Sequence, residues 1–279
     1  MPIDFFPMAR SRPAPVAGTY PIDTGTAELA PDPLSGGWLL QINGTHSSHI
    51  DDDPRVLDFD YLRQVAAVIE DHYLTNERLS VLHLGGAACA LARYLAEVYP
   101  QSRHVAVEID GELARLVREW FELPRAPRLR IRVDDARAVV ESLHPGSRDV
   151  IVRDAFESGR TPHHLTTVEF VSAVASLLTP GGIYFANCGD GRDLSLVRAD
   201  AAAVAEVFDH VLLIGDPAML KGRRIGNIVI VGSNRPLDPS ATLTRRLLSD
   251  PLPAKVISGE QARSFGRGAI PHDPHIPDK

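Results

Sequence analysis

Residues 81–97, VLHLGGAACALARYLAE, constrain the fold more than any other stretch of the chain. A short apolar run (Val81, Leu82, Leu84) stops at Gly85-Gly86. It resumes after small residues with Leu91, Tyr94, Leu95 and Val98 at helical spacing. That pattern is strand, tight turn, helix. Two glycines let the backbone turn and approach a ligand, and Ala87, Ala88, Cys89 and Ala90 leave room where the helix begins. Free N–H groups and the positive end of the helix dipole then favour an electron-rich ligand. A glycine pair between strand and helix is also ordinary turn chemistry, so the neighbouring segments must decide.

From Ser80 onward strand and helix patterns alternate, which calls for a parallel sheet covered on both faces. Strands are expected at 81–84, 104–108, 129–133, 149–153 and 182–187, and helices at 88–98, 111–121, 136–143, 166–178 and 194–208. Two more strands, 210–214 and 225–231, have no helix between them and must run antiparallel as a terminal hairpin. The fold class is therefore α/β: a doubly wound, Rossmann-like, seven-stranded sheet of five parallel strands plus a terminal hairpin. Ahead of it, 24–30, 38–42 and 45–50, with a turn at Asn43-Gly44, suggest a small antiparallel β-region. An amphipathic helix at 60–72 follows. The expected division is a flexible arm (1–18), the β-region (19–56), the nucleotide-type domain (57–233) and a Pro-rich, partly mobile tail (234–279) with a short helix at 242–248.

Composition narrows the class. The chain of 279 residues is 44% hydrophobic and 23% charged, values of a soluble globular protein. A net charge of -7 gives no general attraction to nucleic acid or anionic membrane. No apolar run is long enough to cross a bilayer, and the N-terminus lacks the continuous apolar stretch of a signal peptide. The two cysteines, Cys89 and Cys188, fit a reducing cytoplasm better than a disulfide framework.

In an open parallel sheet, ligands sit at the edge where the strands end. Following the strands there come Gly85-Gly86, then Glu108-Ile109-Asp110, then Asp134-Asp135-Ala136, then Asp154-Ala155-Phe156-Glu157. An acid after the second strand commonly bonds both ribose hydroxyls, and one after the third can accept from a base amine. Asp110 and Asp135 fit equally well as helix N-caps; Glu108 still belongs to its strand and caps poorly. A dinucleotide is disfavoured because Ala87 and Ala90 replace two glycines of G-x-G-x-x-G. An adenosine-sulfonium ligand makes no pyrophosphate demand.

These features together resemble the spermidine synthases, the aminopropyltransferases of the class I S-adenosylmethionine-dependent transferase fold, over roughly residues 36–232. Val107–Asp110 is similar to the family's ribose motif, Asp134-Asp135-Ala136 to its G-D-G adenine contact, and Asp154–Glu157 to its D-x-x-D catalytic pair. Asn43-Gly44 and Phe59-x-Tyr61 resemble its D-G and F-x-Y. The resemblance implies S-adenosylmethionine, intact or decarboxylated, as co-substrate, no metal, a small amine acceptor and a homodimer. It also implies donor contacts at Gly85, Gly86, Ala87, Glu108, Ile109, Asp134, Asp135, Ala136 and Asp154, acceptor contacts at Tyr61 and Ser47, and Asp154 and Glu157 as catalytic pair. The departures matter as well. Ala88 stands where the family aims an acid at the donor's aminopropyl end, Ser47 where it has Gln, and Tyr61-Leu62-Arg63 where it has Tyr-His-Glu or similar. A small-molecule methyltransferase and a catalytically silent nucleoside-binding homologue are the alternatives these departures support. His46 and His49 match no strong metal spacing, His163-His164 read as a solvated loop, and Lys221, Arg223 and Arg224 as a solvated turn.

Overall fold

The computed structural model describes residues 14–274; positions 1–13 of the expected arm and the last five residues lie outside the described residues. The chain opens with a four-stranded antiparallel meander: β1 (Gly18–Ile22), β2 (Gly25–Pro31), β3 (Trp38–Ile42) and β4 (Thr45–Ile50). Sequence patterning misses β1, which carries Pro21. An edge strand tolerates proline, and Pro21 pairs with Thr26 there.

After α1 (Asp60–His72) the doubly wound domain alternates β5 (Ser80–Leu84), α2 (Ala90–Val98), β6 (Arg103–Glu108), α3 (Gly111–Trp120), β7 (Leu129–Val133), α4 (Ala136–Ser142) and β8 (Arg148–Arg153). It continues through α5 (Val168–Leu177), β9 (Leu178–Asp190), α6 (Ser195–Val207), β10 (His210–Gly215) and β11 (Gly226–Ser233). Strands β5 to β9 are parallel, and β11 lies antiparallel between β9 and β10. With a last strand, β12 (Lys255–Ser258), at one edge, the order β12-β10-β11-β9-β8-β5-β6-β7 reverses at β5, which puts the switch point at Gly85.

The sheet has eight strands, one more than the sequence suggests. The tail forms α7 (Ala241–Leu248), then β12 (Lys255–Ser258), which pairs with β10, then α8 (Gly259–Phe265). Four residues among polar neighbours give too short a pattern to read. The stretch expected to be mobile is also tied down as far as Asp273. Val168 N donates to Pro271 O at 3.0 Å, His272 Nδ1 lies 2.9 Å from Glu169, and Asp273 pairs with Arg137.

Alternation along the strands builds a core on each face. Leu82, Leu84 and Ile151 pack under α4 to α6, while Val81, Val150 and Val152 face α1 and α7. A third cluster joins Ala88, Cys89 and Ala92 to Leu29, Leu40 and Ile50 of the meander. The small residues at the start of α2 thus make room for the N-terminal sheet. The β1–β2 turn is clamped there too, because Asp110 accepts from Thr24 N and Oγ1, and Asp23 from Gly111 N and Glu112 N.

One polar chain runs through this interior. His83 Nε2 lies 3.1 Å from His104 Nδ1, and His104 Nε2 is 2.7 Å from Ser102 Oγ. Burial pushes His83 down to about 4 and lowers His104 as well. The unfolded chain therefore binds more protons below pH ~6.5, and folding stability falls as pH drops from there through His83's folded value. His83 alone is expected to remove about 2 kcal/mol between pH 7 and pH 5. Urea unfolding at the two pH values checks this: His83→Gln should show a shallower loss, and an equal loss would assign the slope to other groups.

Candidate functional site

At the end of β5 the backbone is wedged between two strands. Gly85 N donates to Val107 O at 3.0 Å, its φ is +91°, and a Cβ there would overlap the carbonyl oxygen of Asp154. Only glycine meets both demands. The turn then passes Ala87 (φ 35°) and Cys89 (φ 59°), so non-glycine residues hold left-handed backbone on the way into α2.

Glu108 organises this turn. Its Oε2 accepts from Gly86 N at 3.3 Å and Ala87 N at 2.9 Å, and its Oε1 from Asp110 N at 3.1 Å. Burial raises its pKa and the three N–H groups oppose that rise. Three of the carboxylate's roughly four acceptor sites are thus taken, which leaves Oε1 with capacity for a hydroxyl. Beside Glu108, Ile109 is 60% exposed, and Val133, the register partner of Glu108 across β6–β7, is 53% exposed. Both are large aliphatic side chains left in water next to a buried acid.

The acids after β7 are committed to local structure. Asp135 caps α4 through Ala138 N at 2.9 Å and meets His164 Nε2 at 3.0 Å. Asp134 accepts from Asp135 N at 2.9 Å and pairs with Arg132 at 2.7 Å. Ala136 is buried as the first residue of α4. Asp110 caps α3 through Leu113 N at 2.7 Å. Asp110 and Asp135 therefore both serve as helix caps.

After β8 lies a carboxylate held by two side chains from other elements. Asp154 N donates to Leu84 O at 2.7 Å, Tyr61 OH donates to Oδ2 at 2.9 Å, and Asn187 Nδ2 to Oδ1 at 2.8 Å. Desolvation raises its pKa, while Asn187, Tyr61 and the Arg153 charge act in the opposite direction. The sequence offers Tyr61 as an acceptor contact, not as a partner of Asp154, and does not single out Asn187. The available signal is an amide inside IYFANC, an otherwise apolar strand. Asn187 Oδ1 is buried and has no hydrogen-bond partner, so the amide offers a free acceptor beside Asp154.

Several expected placements change. Glu157 does not join Asp154: it opens an exposed turn, its backbone paired to Arg160 through left-handed Ser158 and Gly159. Ser47 is the extra residue of a bulge, since Gln41 pairs with His46 and Leu40 with Ser48. The bulge turns Ser48 inward, and its Oγ accepts from Ala88 N at 3.3 Å. Arg63 points away, bonded to Leu57 O and Asp58 O and paired with Asp250 at 2.7 Å, so it brings no charge to Asp154. His49 is buried against Gly36 O at 2.7 Å, whereas His46 is exposed.

No protein-family model matches the chain. A solved structure described as a probable spermidine synthase from Corynebacterium glutamicum is 47% identical, with a TM-score of 0.88, covering 95% of this chain and 99% of that one. The chain belongs to the spermidine synthase family. A spermidine synthase from Thermotoga maritima, 18% identical over 84% of this chain and 78% of its own, shares the fold with a TM-score of 0.63. Among curated relatives, the polyamine aminopropyltransferase of Vibrio vulnificus is 34% identical over 113 residues, 40% of this chain and 37% of that protein. The human eEF1A lysine and N-terminal methyltransferase is 29% identical over 143 residues, 47% of this chain and 20% of that protein. The matched stretch thus spans little more than a third of the first of these relatives and a fifth of the second.

Ala87 and Cys89, which stand where the resembled motif has glycines, hold left-handed backbone here. Ala88, in place of the acid, is fully buried and faces the meander cluster.

Proposed function

We propose that this member of the spermidine synthase family transfers an aminopropyl group from decarboxylated S-adenosylmethionine to an amine. The observation that carries the reading is the Asp154 carboxylate, held by Tyr61 and Asn187 directly behind the Gly85 turn. The adenosine would lie on Ile109 and Val133, its ribose hydroxyls on Glu108, and Asp134 and Ala136 would border the base. Gly85, Gly86 and Ala87 supply close backbone.

The chemistry is an in-line displacement, in which alignment supplies most of the acceleration. The amine lone pair forms the new N–C bond, the C–S bond breaks, and its electron pair returns the sulfonium to a neutral thioether. The proton shed by the amine passes to Asp154 and then to solvent. Burial favours this role by making Asp154 a stronger base than an exposed carboxylate. Transfer should therefore fail on the acid side at a pH above that of an ordinary aspartate. Glu157 is left a role at the mouth of the site and Ser47 none. No step calls for a metal.

Methyl transfer from the intact donor is the second reading. Ala88 favours it, because the aminopropyl ammonium has no acid on the turn, and curated methyltransferases stand among the relatives. We further propose a cytoplasmic homodimer, supported by two buried free cysteines and by the free edges of the meander. Among the described residues no helix is long and apolar enough to cross a membrane.

Calorimetry on Glu108→Gln tests the donor site. Loss of a charge-assisted bond to the ribose should weaken methylthioadenosine about 10- to 100-fold. Unchanged affinity would remove Glu108 from the site and with it the nucleoside reading.

A further inference from the structure

Strands β8 and β9 run parallel, and β10 runs with them because β11 is antiparallel to both β9 and β10. The loops that follow all three therefore open on the edge that holds Asp154. They also touch one another. The Phe156 ring lies 3.5 Å from where a Cβ on Gly189 would sit, Gly189 pairs with Asn227, and Gly222 packs its backbone against the carbonyl of Arg192. Gly189 is two residues beyond Asn187, on the same face of β9.

The β10–β11 loop is a built structure. Asp216 Oδ1 accepts from Ala218 N at 2.8 Å and Met219 N at 3.0 Å, Arg223 N donates to Ala218 O at 2.8 Å, and Met219 and Leu220 are buried. What it presents outward is Lys221, Arg223 and Arg224. Arg224 pairs with Asp216 at 3.8 Å. Lys221 and Arg223, with Arg192 and Arg160 on the adjoining loops, make no ion pair among the described residues. The opposing acids on these loops are the exposed Glu157 and Asp193; Asp190 is engaged by Gly191 N and Val197 N. Outside Asp154 these loops carry five cations, Arg160, Arg192, Lys221, Arg223 and Arg224, against four acids, Glu157, Asp190, Asp193 and Asp216, in a chain whose net charge is -7.

The depth of the site has the opposite balance. Among the described residues Asp154 is the acid that Tyr61 and Asn187 hold there, since Ala88 carries no charge, Glu157 sits in the exposed turn, Asp190 is taken up by Gly191 N and Val197 N, and Arg63 faces Asp250. That complement suits one amine. The second ammonium of a diamine would meet the cationic mouth, where like charge repels and an anion is attracted.

We infer that the acceptor carries an anionic group, carboxylate or phosphate, beside its amine, and that Lys221 and Arg223, with Arg192 and Arg160, bind that group. The inference rests on the transferase reading above and names its substrate class. The test is calorimetric titration of the protein saturated with methylthioadenosine, using 1,4-diaminobutane, ornithine (the same diamine bearing a carboxylate) and phosphoethanolamine. At least one anionic amine should bind about 10-fold tighter than the diamine and weaken as salt is raised, and comparison of the two identifies carboxylate or phosphate. Lys221→Ala/Arg223→Ala, both exposed and so not expected to disturb folding, should lose about 10-fold for that amine and nothing for the diamine. Equal or tighter binding of the diamine, no binding by any of the three, or indifference to the double substitution overturns the inference. The expected binding pattern without turnover of any amine would keep the anion site and reject the transferase reading instead.

Discussion

Asp154→Asn is expected to lower kcat/KM by about 10²- to 10⁴-fold, the usual worth of a positioned general base, while the donor Kd changes little. The substitution is nearly isosteric. The amide oxygen can still accept from Tyr61 or Asn187, so Asp154's neighbours keep their places, and what disappears is the site for the amine proton. Single-turnover transfer together with donor calorimetry separates the two effects. An equal loss of binding and transfer would make Asp154 a donor ligand. Tyr61→Phe removes one donor to the carboxylate and leaves the base, so its loss should be smaller and its acid limb should move to higher pH.

The second large effect is on folding. In Gly85→Ala the new methyl must overlap the Asp154 carbonyl oxygen and also lies 2.6 Å from its carbonyl carbon and 2.9 Å from Ala155 Cα, on a backbone at φ +91°. Positive φ and overpacking each cost on the order of 1–3 kcal/mol, so a loss of about 2–4 kcal/mol is expected in chemical denaturation. Because the obstructing atoms are the backbone of the catalytic loop, surviving protein should also transfer poorly. Gly86→Ala is the control: its Cβ would meet Ala106 Cβ at 3.4 Å, ordinary contact, with no positive φ. If both variants were as stable as the parent, the wedge between β5 and β8 would carry no energetic weight.

These two residues also show why part of the molecule was legible in its sequence. Gly85 and Asp154 end strands whose buried alternation, Val81 against Leu82 and Val150 against Ile151, is dictated by side-chain period, so their position at one edge follows from local pattern. Glu108 was readable for the same reason. What escaped depends on register and long-range contact. The bulge that exchanges Ser47 for Ser48 is a one-residue slip between β3 and β4, which no property of THSSHI announces. Glu157 was misplaced because motif spacing says nothing about the Ser158-Gly159 turn that carries it outward. Arg63 stands at a position of the family's acceptor motif, yet its partner, Asp250, lies 187 residues away. Asn187 needed the third dimension too, as its worth comes from facing Asp154 across β8 and β9.

The most direct measurement is product analysis after incubating the protein with an amine and, in parallel, intact and decarboxylated S-adenosylmethionine. Release of methylthioadenosine from the decarboxylated donor, in step with disappearance of the amine and lost in Asp154→Asn, is the expected result. Release of S-adenosylhomocysteine from the intact donor, with the decarboxylated one inert, would contradict aminopropyl transfer and make Ala88 the mark of a methyltransferase.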